Sequence, residues 1–166
     1  MKNTRTARRA HTVRTRKIAV SGLVIALYVG IIYLTQDFSF GTFQIRVVDA
    51  LYALCYIYPF LTVPLAVASS LGNVIGGMGL PDIIGGFFAG LVTCWCMVMI
   101  RRLRWNEWLL AVPTIVVSAL MVPVWLAPIL HVNYFFLMAT IGAGEIVSGI
   151  LGVLLVKALR RALPPL

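Results

Sequence analysis

Long apolar runs constrain this chain more than any other feature of its sequence. Ile18–Thr35 contains 18 consecutive residues without a charged side chain, and that length allows a helix to cross a bilayer. Further apolar runs occupy residues 47–77, 83–100, 108–130 and 134–156. With 61% hydrophobic and only 11% charged residues in the whole chain, these runs predict an all-α membrane protein.

The second run is too long for one helix across a bilayer. Val47–Gly77 has 31 residues, which as a single helix would measure ~46 Å against a hydrocarbon core of ~30 Å. It contains Pro59 and Pro64, and proline breaks or kinks helices. The sequence therefore predicts two short helices, about 45–58 and 60–76, and six transmembrane helices in all.

Basic residues cluster at the ends of the apolar runs. Seven precede residue 18, three form "RRLR" at 101–104, and three follow residue 156. With six spans, thirteen of the fourteen lie on one side of the membrane, which predicts cytoplasmic termini. This distribution favours membrane anchoring over nucleic-acid binding, despite the net charge of +9. The remaining basic residue, Arg46, lies near the outward connection 36–45; the other outward connections are 77–82 and 130–134.

The expected layout is a single transmembrane domain with two short tails. Residues 1–17 are a basic cytoplasmic tail, 18–161 form the six-helix domain, and 162–166 form a short C-terminal tail. The first apolar run is expected to be a span rather than a cleavable signal peptide, because further runs follow it. Cys55, Cys94 and Cys96 lie in apolar stretches and are expected to pack there without disulfides.

Charged side chains within the apolar runs are the candidate functional residues. An ionisable group at the centre of a membrane helix costs ~2.5–3.5 kcal/mol, so each needs a partner or a purpose. Arg46 and Asp49 are three residues apart and form either a structural ion pair or part of a polar cavity. Glu145 is twelve residues before Lys157, ~18 Å into the last helix. Since no basic residue in that run neutralises it, Glu145 is the strongest candidate to bind a ligand.

Among other polar and aromatic residues, Asn73 favours a polar cavity, and Asp82, Tyr52 and Tyr56 each allow two interpretations. Asn73 ends the third predicted helix in "GNVIGGMG". Asp82 follows Pro81 at a helix start, so it either caps that helix or lines the pocket. Tyr52 and Tyr56 follow Asp49 at helical spacings and form either an interfacial aromatic belt or a stacking wall.

Known catalytic motifs are absent from the sequence. It contains no GxSxG, HExxH or DDxxD motif and no phosphate-binding loop, each of which would supply a nucleophile, metal site or phosphate cradle. We therefore expect a protein that binds a small molecule, with no enzyme activity, cofactor or metal.

Residues Phe40–Arg102 carry a family resemblance. Their features are "IR" followed by an acidic residue and "AL" at Ile45–Leu51, the passage "GNVIGGMGLPD" at Gly72–Asp82, and, beyond this run, "GE" at Gly144–Glu145. In this order and spacing they resemble the QueT family of queuosine-precursor transporters, although that family usually has Glu where Asp49 stands. These are substrate-binding (S) components of energy-coupling factor (ECF) transporters, a class of ABC importers in bacterial cell membranes.

The resemblance implies six membrane helices and a pocket near the outer face, covered by the connections after the first, third and fifth helices. It also implies a separate ECF scaffold (T) subunit and two ATPase subunits. Gly22, Ala26 and Gly30 form a small-residue ladder on the first helix. Such a ladder permits close helix contact, either with the scaffold, as in the family, or within the protein itself.

The implied substrate is a 7-deazaguanine, such as 7-aminomethyl-7-deazaguanine or queuine. Glu145 would accept its two adjacent N–H donors, and Asp49 or Asp82 would neutralise an amine. Asn73 would bind the carbonyl edge, Arg46 would hold Asp49, and the ring would stack on Tyr52, Tyr56 or Trp125. The alternatives are an S component for another vitamin-like or nucleobase solute, a self-sufficient transporter or channel, and a structural or assembly membrane protein.

Overall fold

The computed structural model describes residues 2–40 and 44–162, and the side chains of residues 12–40 and 44–162. These ranges are helical, with no strand among them. Residues 163–166 of the predicted C-terminal tail, residues 41–43 of the predicted outward connection, and the side chains of Lys2, Arg5, Arg8 and Arg9 lie outside the described residues.

Seven α-helices and three 3₁₀ segments make up the described ranges. The α-helices are α1 (Lys2–Leu34), α2 (Gln36–Ser39), α3 (Leu54–Ile57), α4 (Thr62–Gly76), α5 (Leu80–Arg102), α6 (Ala111–Leu130) and α7 (Tyr134–Ala162). The 3₁₀ segments Val47–Ala53, Pro59–Leu61 and Glu107–Leu110 lead directly into α3, α4 and α6. Helix α1 begins well before the first apolar run, because residues 2–17 contain neither glycine nor proline to end it.

Five helical segments are long and apolar enough to cross a membrane. They are Thr12–Leu34, Pro59–Gly76, Leu80–Arg102, Glu107–Leu130 and Tyr134–Ala162, which confirms the all-α membrane class. The predicted helix 45–58 is found as the shorter apolar segment Val47–Ile57. At ~1.5–2.0 Å per residue it measures ~16–22 Å, less than the ~30 Å hydrocarbon core. The count of six crossing helices is therefore not confirmed.

The chain breaks between α3 and α4 at the first of the two prolines. Tyr58 has φ −123° and ψ 81°, an extended conformation of the kind imposed on a residue before proline. Pro59 then starts the next helical segment, where its missing N–H costs nothing. Pro64 lies in the first turn of α4 and is tolerated for the same reason.

The segment Val47–Ala53 occupies the centre of the bundle. The long helices pack in the order α1, α4, α5, α6, α7, and this segment contacts all five of them. Residues 48–53 are all buried. Helix α7 approaches most closely at Gly152, where a Cβ atom would lie 3.1 Å from the Cβ of Ala53 and 3.2 Å from the carbonyl oxygen of Ala50. The central segment thus places its polar residues between helices rather than against lipid.

Candidate functional site

Arg46 lies at the start of the central segment and is buried. Its Nη2 atom donates a hydrogen bond of 2.6 Å to Oδ1 of Asn73 on α4. Its Nε atom is 3.9 Å from Oδ2 of Asp49, and the ring of Phe40 lies 5.6 Å from its guanidinium carbon. The predicted pair of Arg46 and Asp49 therefore exists, but the shortest contact of Arg46 is with Asn73.

Asp49 is held chiefly by a residue that the sequence did not single out. The hydroxyl of Tyr28 donates to Oδ1 of Asp49 at 2.5 Å and lies 3.1 Å from the hydroxyl of Tyr52. Tyr28 is fully buried and Tyr52 nearly so. A tyrosine in the middle of an apolar run was the available signal, because a buried phenol needs a hydrogen-bond partner.

Asp82 and Trp125 extend the network toward α5 and α6. The amide nitrogen of Asn73 donates to the backbone carbonyl of Asp82 at 2.8 Å, and Nε1 of Trp125 donates to Oδ1 of Asp82 at 2.9 Å. Gly79 occupies the N-cap position of α5, so Asp82 faces α6 instead of capping its own helix. The indole fits because position 85 is glycine, where a Cβ atom would lie 2.5 Å from the ring.

Glu145 projects from α7 into the same cluster and is 1% exposed. Its carboxyl group lies close to Asp49 and Ser148. Its Oε2 atom is buried without a hydrogen-bond partner among the described residues, as is Nε of Arg46. Ser148, one turn after Glu145, donates to the backbone carbonyl of Arg46 at 2.8 Å and so fixes α7 against the central segment.

Carboxyl groups outnumber cations in the cluster. Arg46 interacts electrostatically with Asp49 and Glu145 and with Asp82. In this part of the described chain, one guanidinium thus serves three carboxyl groups. Carboxylates are acceptor-only groups, so this arrangement is suited to a ligand that is rich in N–H donors.

The site is closed in this structure. The cavity beside Arg46 has a volume of about 10 Å³ and is bordered by Phe40, Gln44, Met78 and Asp82. A ligand pocket typically measures about 300–1,000 Å³, whereas about 10–15 Å³ holds one water. Gln44, next to this cavity, has a positive φ of 42°, a conformation that is uncommon for a residue with a side chain. Binding of a small molecule therefore requires the surrounding segments to separate.

The other predicted residues lie outside this network. Tyr56 is half-buried and packs against the apolar core, because Val47–Ala53 is a 3₁₀ segment with three residues per turn, which alters the face that a regular α-helix would give it. Gly22, Ala26 and Gly30 lie on an exposed face of α1. A Cβ atom at either glycine would meet nothing within 4 Å, so the ladder does not pack inside the protein.

The site residues join six elements, α1, the central segment, α4, α5, α6 and α7, without forming a metal centre. Among the residues that the structure describes, no group of three or more His, Cys, Asp or Glu side chains is placed to hold a metal ion. The cluster can therefore be characterised as a buried hydrogen-bonding site with two unpartnered polar atoms, Nε of Arg46 and Oε2 of Glu145.

Comparisons with known proteins agree with the sequence resemblance. The family described as QueT transporter matches residues 18–161. This range covers all five segments that are long enough to cross a membrane, apart from the first residues of the α1 segment and the last residue of α7. Neither a curated protein nor a solved structure matches the chain. The family match covers most of the sequence, and this multi-pass membrane protein belongs to the QueT transporter family.

Proposed function

We propose that this transporter is the S component of an ECF-type importer and captures a queuosine precursor from outside the cell. The observation that carries the proposal is the buried Oε2 atom of Glu145, which has no partner among the described residues. An unsatisfied buried acceptor costs about 1–3 kcal/mol. A ligand that donates to it recovers that cost, so a donor-bearing ligand is favoured.

A 7-deazaguanine provides N–H donors for the carboxyl groups of the cluster. Its guanine-type edge has two adjacent N–H groups, which match a carboxylate in bidentate fashion. An aminomethyl substituent adds a cation, for which Asp49 and Asp82 are the available carboxylates beyond Glu145. Tyr52 is hydrogen-bonded to Tyr28 and Trp125 to Asp82, so both rings border the network, which supports the proposal that they stack on a planar ligand.

Opening of the outer side gives access to this site. The bond from Trp125 to Asp82 ties α6 to α5, and Phe40 covers both Arg46 and Gly76, where a Cβ atom would clash with its ring. Separation of these contacts, which lie near the connections 36–45 and 77–82, would open the cluster from above. Asp82 then exchanges its indole donor for a donor of the ligand.

The topology that we propose has six helical passes and cytoplasmic termini, with Val47–Ile57 as an incomplete second pass. Arg101 at the basic end of α5 donates to the carbonyl of Ile57 at 2.7 Å, so this short segment reaches the inner end of the bundle. Its other end, beside Arg46, then lies ~16–22 Å closer to the outer face of the membrane. Arg46 departs from the positive-inside pattern because it belongs to the binding site and not to a membrane boundary.

Energy for uptake comes from separate subunits in this proposal. The exposed ladder Gly22, Ala26 and Gly30 is a surface on which another helix can approach closely, which suits a scaffold (T) subunit with two attached ATPases. The bacterial cell membrane is the expected location of such an importer.

A titration with a matched pair of ligands tests the proposed substrate. The purified protein should bind 7-aminomethyl-7-deazaguanine at one site, and the same compound without its 2-amino group at least about tenfold more weakly, since one charge-assisted hydrogen bond is worth ~1.5–3 kcal/mol. Isothermal calorimetry measures both affinities. Equal affinities would show that the guanine-type edge is not what the site binds.

A further inference from the structure

A second, larger cavity lies at the opposite end of the bundle from Arg46. Its volume is about 570 Å³, and it is formed by α1, the turn between α3 and α4, and the end of α5. Arg101 and Ile57, which both line this cavity, are joined by the hydrogen bond from the guanidinium of Arg101 to the carbonyl of Ile57. This groove is independent of the site described above, with which it has no lining residue in common.

Three exposed cations line the groove: Arg16, Lys17 and Arg101. The two salt bridges of the described chain join other residues, Arg46 with Asp49 and Arg160 with Glu107. Lys17 lies 5.6 Å from the centre of the Phe60 ring. Arg101 uses one N–H on Ile57, and a guanidinium has five. The groove therefore has positive charge that no acidic side chain among the described residues offsets.

The start of the helical segment Pro59–Gly76 adds to this positive field. Pro59 and Phe60 at its first turn line the groove, and the preceding residue, Tyr58, provides no side-chain cap. The N-terminal end of a helix carries a partial positive charge that favours an anion. Pro59 has no N–H and the N–H of Leu61 donates to the carbonyl of Tyr58, so this end contributes its dipole, and not a set of free donors, to the groove that the three cations line.

The remaining lining is mostly apolar, and such a lining favours an anion that also carries hydrocarbon. Val13, Val20, Ile57 and Phe60 form the walls. The cations lie at the boundaries of apolar runs, just before residue 18 and just after residue 100. Such boundaries lie at the level of the lipid headgroups. A free inorganic anion would not use these walls, whereas a phospholipid has a phosphate for the cations and hydrocarbon for the walls.

We infer that this groove binds the headgroup of an anionic glycerophospholipid, with its phosphate between Arg16, Lys17 and Arg101. The lipid would fill the space between α1 and the α3–α4 turn at the basic end of the bundle. In the proposed topology, on which this inference rests, this end of the bundle is cytoplasmic, and basic pockets between helices on the cytoplasmic side are suited to anionic lipids.

The experiment measures lipid binding by native mass spectrometry of the purified protein. Phosphatidylglycerol and phosphatidylcholine are added at equal concentrations, and binding of each is quantified. We expect preferential binding of phosphatidylglycerol, and a loss of about fivefold in its affinity for each charge removed in Arg16→Gln/Lys17→Gln. The charge-preserving exchange Arg16→Lys/Lys17→Arg should retain the preference.

The matched control removes two charges that do not line the groove, Arg14→Gln/Arg102→Gln. An equal loss in this control would show that general surface charge attracts the lipid and would overturn the inference. Equal binding of both lipids by the unmodified protein would overturn it as well. So would displacement of phosphatidylglycerol by millimolar inorganic phosphate, which would identify a free anion as the occupant.

Discussion

Replacement of Glu145 by glutamine should weaken ligand binding without harming the empty protein. The Oε2 atom is buried and unpartnered among the described residues, and glutamine keeps the shape but replaces one acceptor oxygen with a donor. Facing the N–H groups of a guanine-type edge, that donor removes a charge-assisted hydrogen bond worth ~1.5–3 kcal/mol. The affinity should fall at least about tenfold.

The same substitution is expected to raise the stability of the ligand-free protein or to leave it unchanged. A buried carboxylate oxygen without a partner is costly, and the amide that replaces it has Asp49 close by as an acceptor. The midpoint of thermal unfolding in detergent should therefore be equal to or higher than that of the unmodified protein. A purely structural glutamate would instead lose stability and binding together.

Calorimetric titration with 7-aminomethyl-7-deazaguanine, paired with thermal unfolding, measures both quantities. The control is Glu107→Gln, which alters a carboxylate paired with Arg160 on the connection between α5 and α6. Its affinity for the ligand should be unchanged, because this residue lies outside the cluster. Unchanged affinity in a folded Glu145→Gln protein would refute the assignment of Glu145 to the pocket.

Three further substitutions test other parts of the site and its surroundings. Asp49→Asn should weaken binding of the amine-bearing precursor more than that of its uncharged nitrile analogue, measured by calorimetry; equal losses would mean that Asp49 serves only Arg46 and Tyr28. Tyr28→Phe removes the 2.5 Å bond to Asp49 and should destabilise the protein by ~1.5–3 kcal/mol, whereas Tyr33→Phe, at an exposed position on the same helix, should stay within about 0.5 kcal/mol. Equal unfolding midpoints for these two variants would contradict the buried network. Ala26→Leu should abolish uptake in cells while the isolated protein keeps its affinity, and parallel loss of both would argue against a scaffold contact.

The sequence predicted the long helices well because each is set by a local property. Five of the six predicted helices match segments that are long and apolar enough to cross a membrane, and Pro59 accounts for the break at Tyr58. The segment 45–58 was predicted as one regular α-helix, but Val47–Ala53 forms a 3₁₀ helix. This segment is enclosed by the five long α-helices. That arrangement depends on tertiary packing, such as the contact of Gly152 with Ala50 and Ala53.

The candidate site shows the same division between local and tertiary information. Charged residues in apolar runs were conspicuous in the sequence, and the structure places Arg46, Asp49, Asp82 and Glu145 in one buried cluster. Their partners were not predictable from spacing, since Tyr28 is 21 residues from Asp49 along the chain. Ser148 is 102 residues from the carbonyl that it binds. Long-range contacts of this kind decide which face of each helix meets the others.

The identity of the small molecule that co-purifies with the protein tests the central proposal most directly. The protein would be extracted from its membrane, and bound small molecules would be released and identified by mass spectrometry. We predict a 7-deazaguanine, present with the unmodified protein and strongly reduced with Glu145→Gln. A bound solute without a guanine-type donor edge, or equal amounts of the deazaguanine with both proteins, would contradict the proposed site.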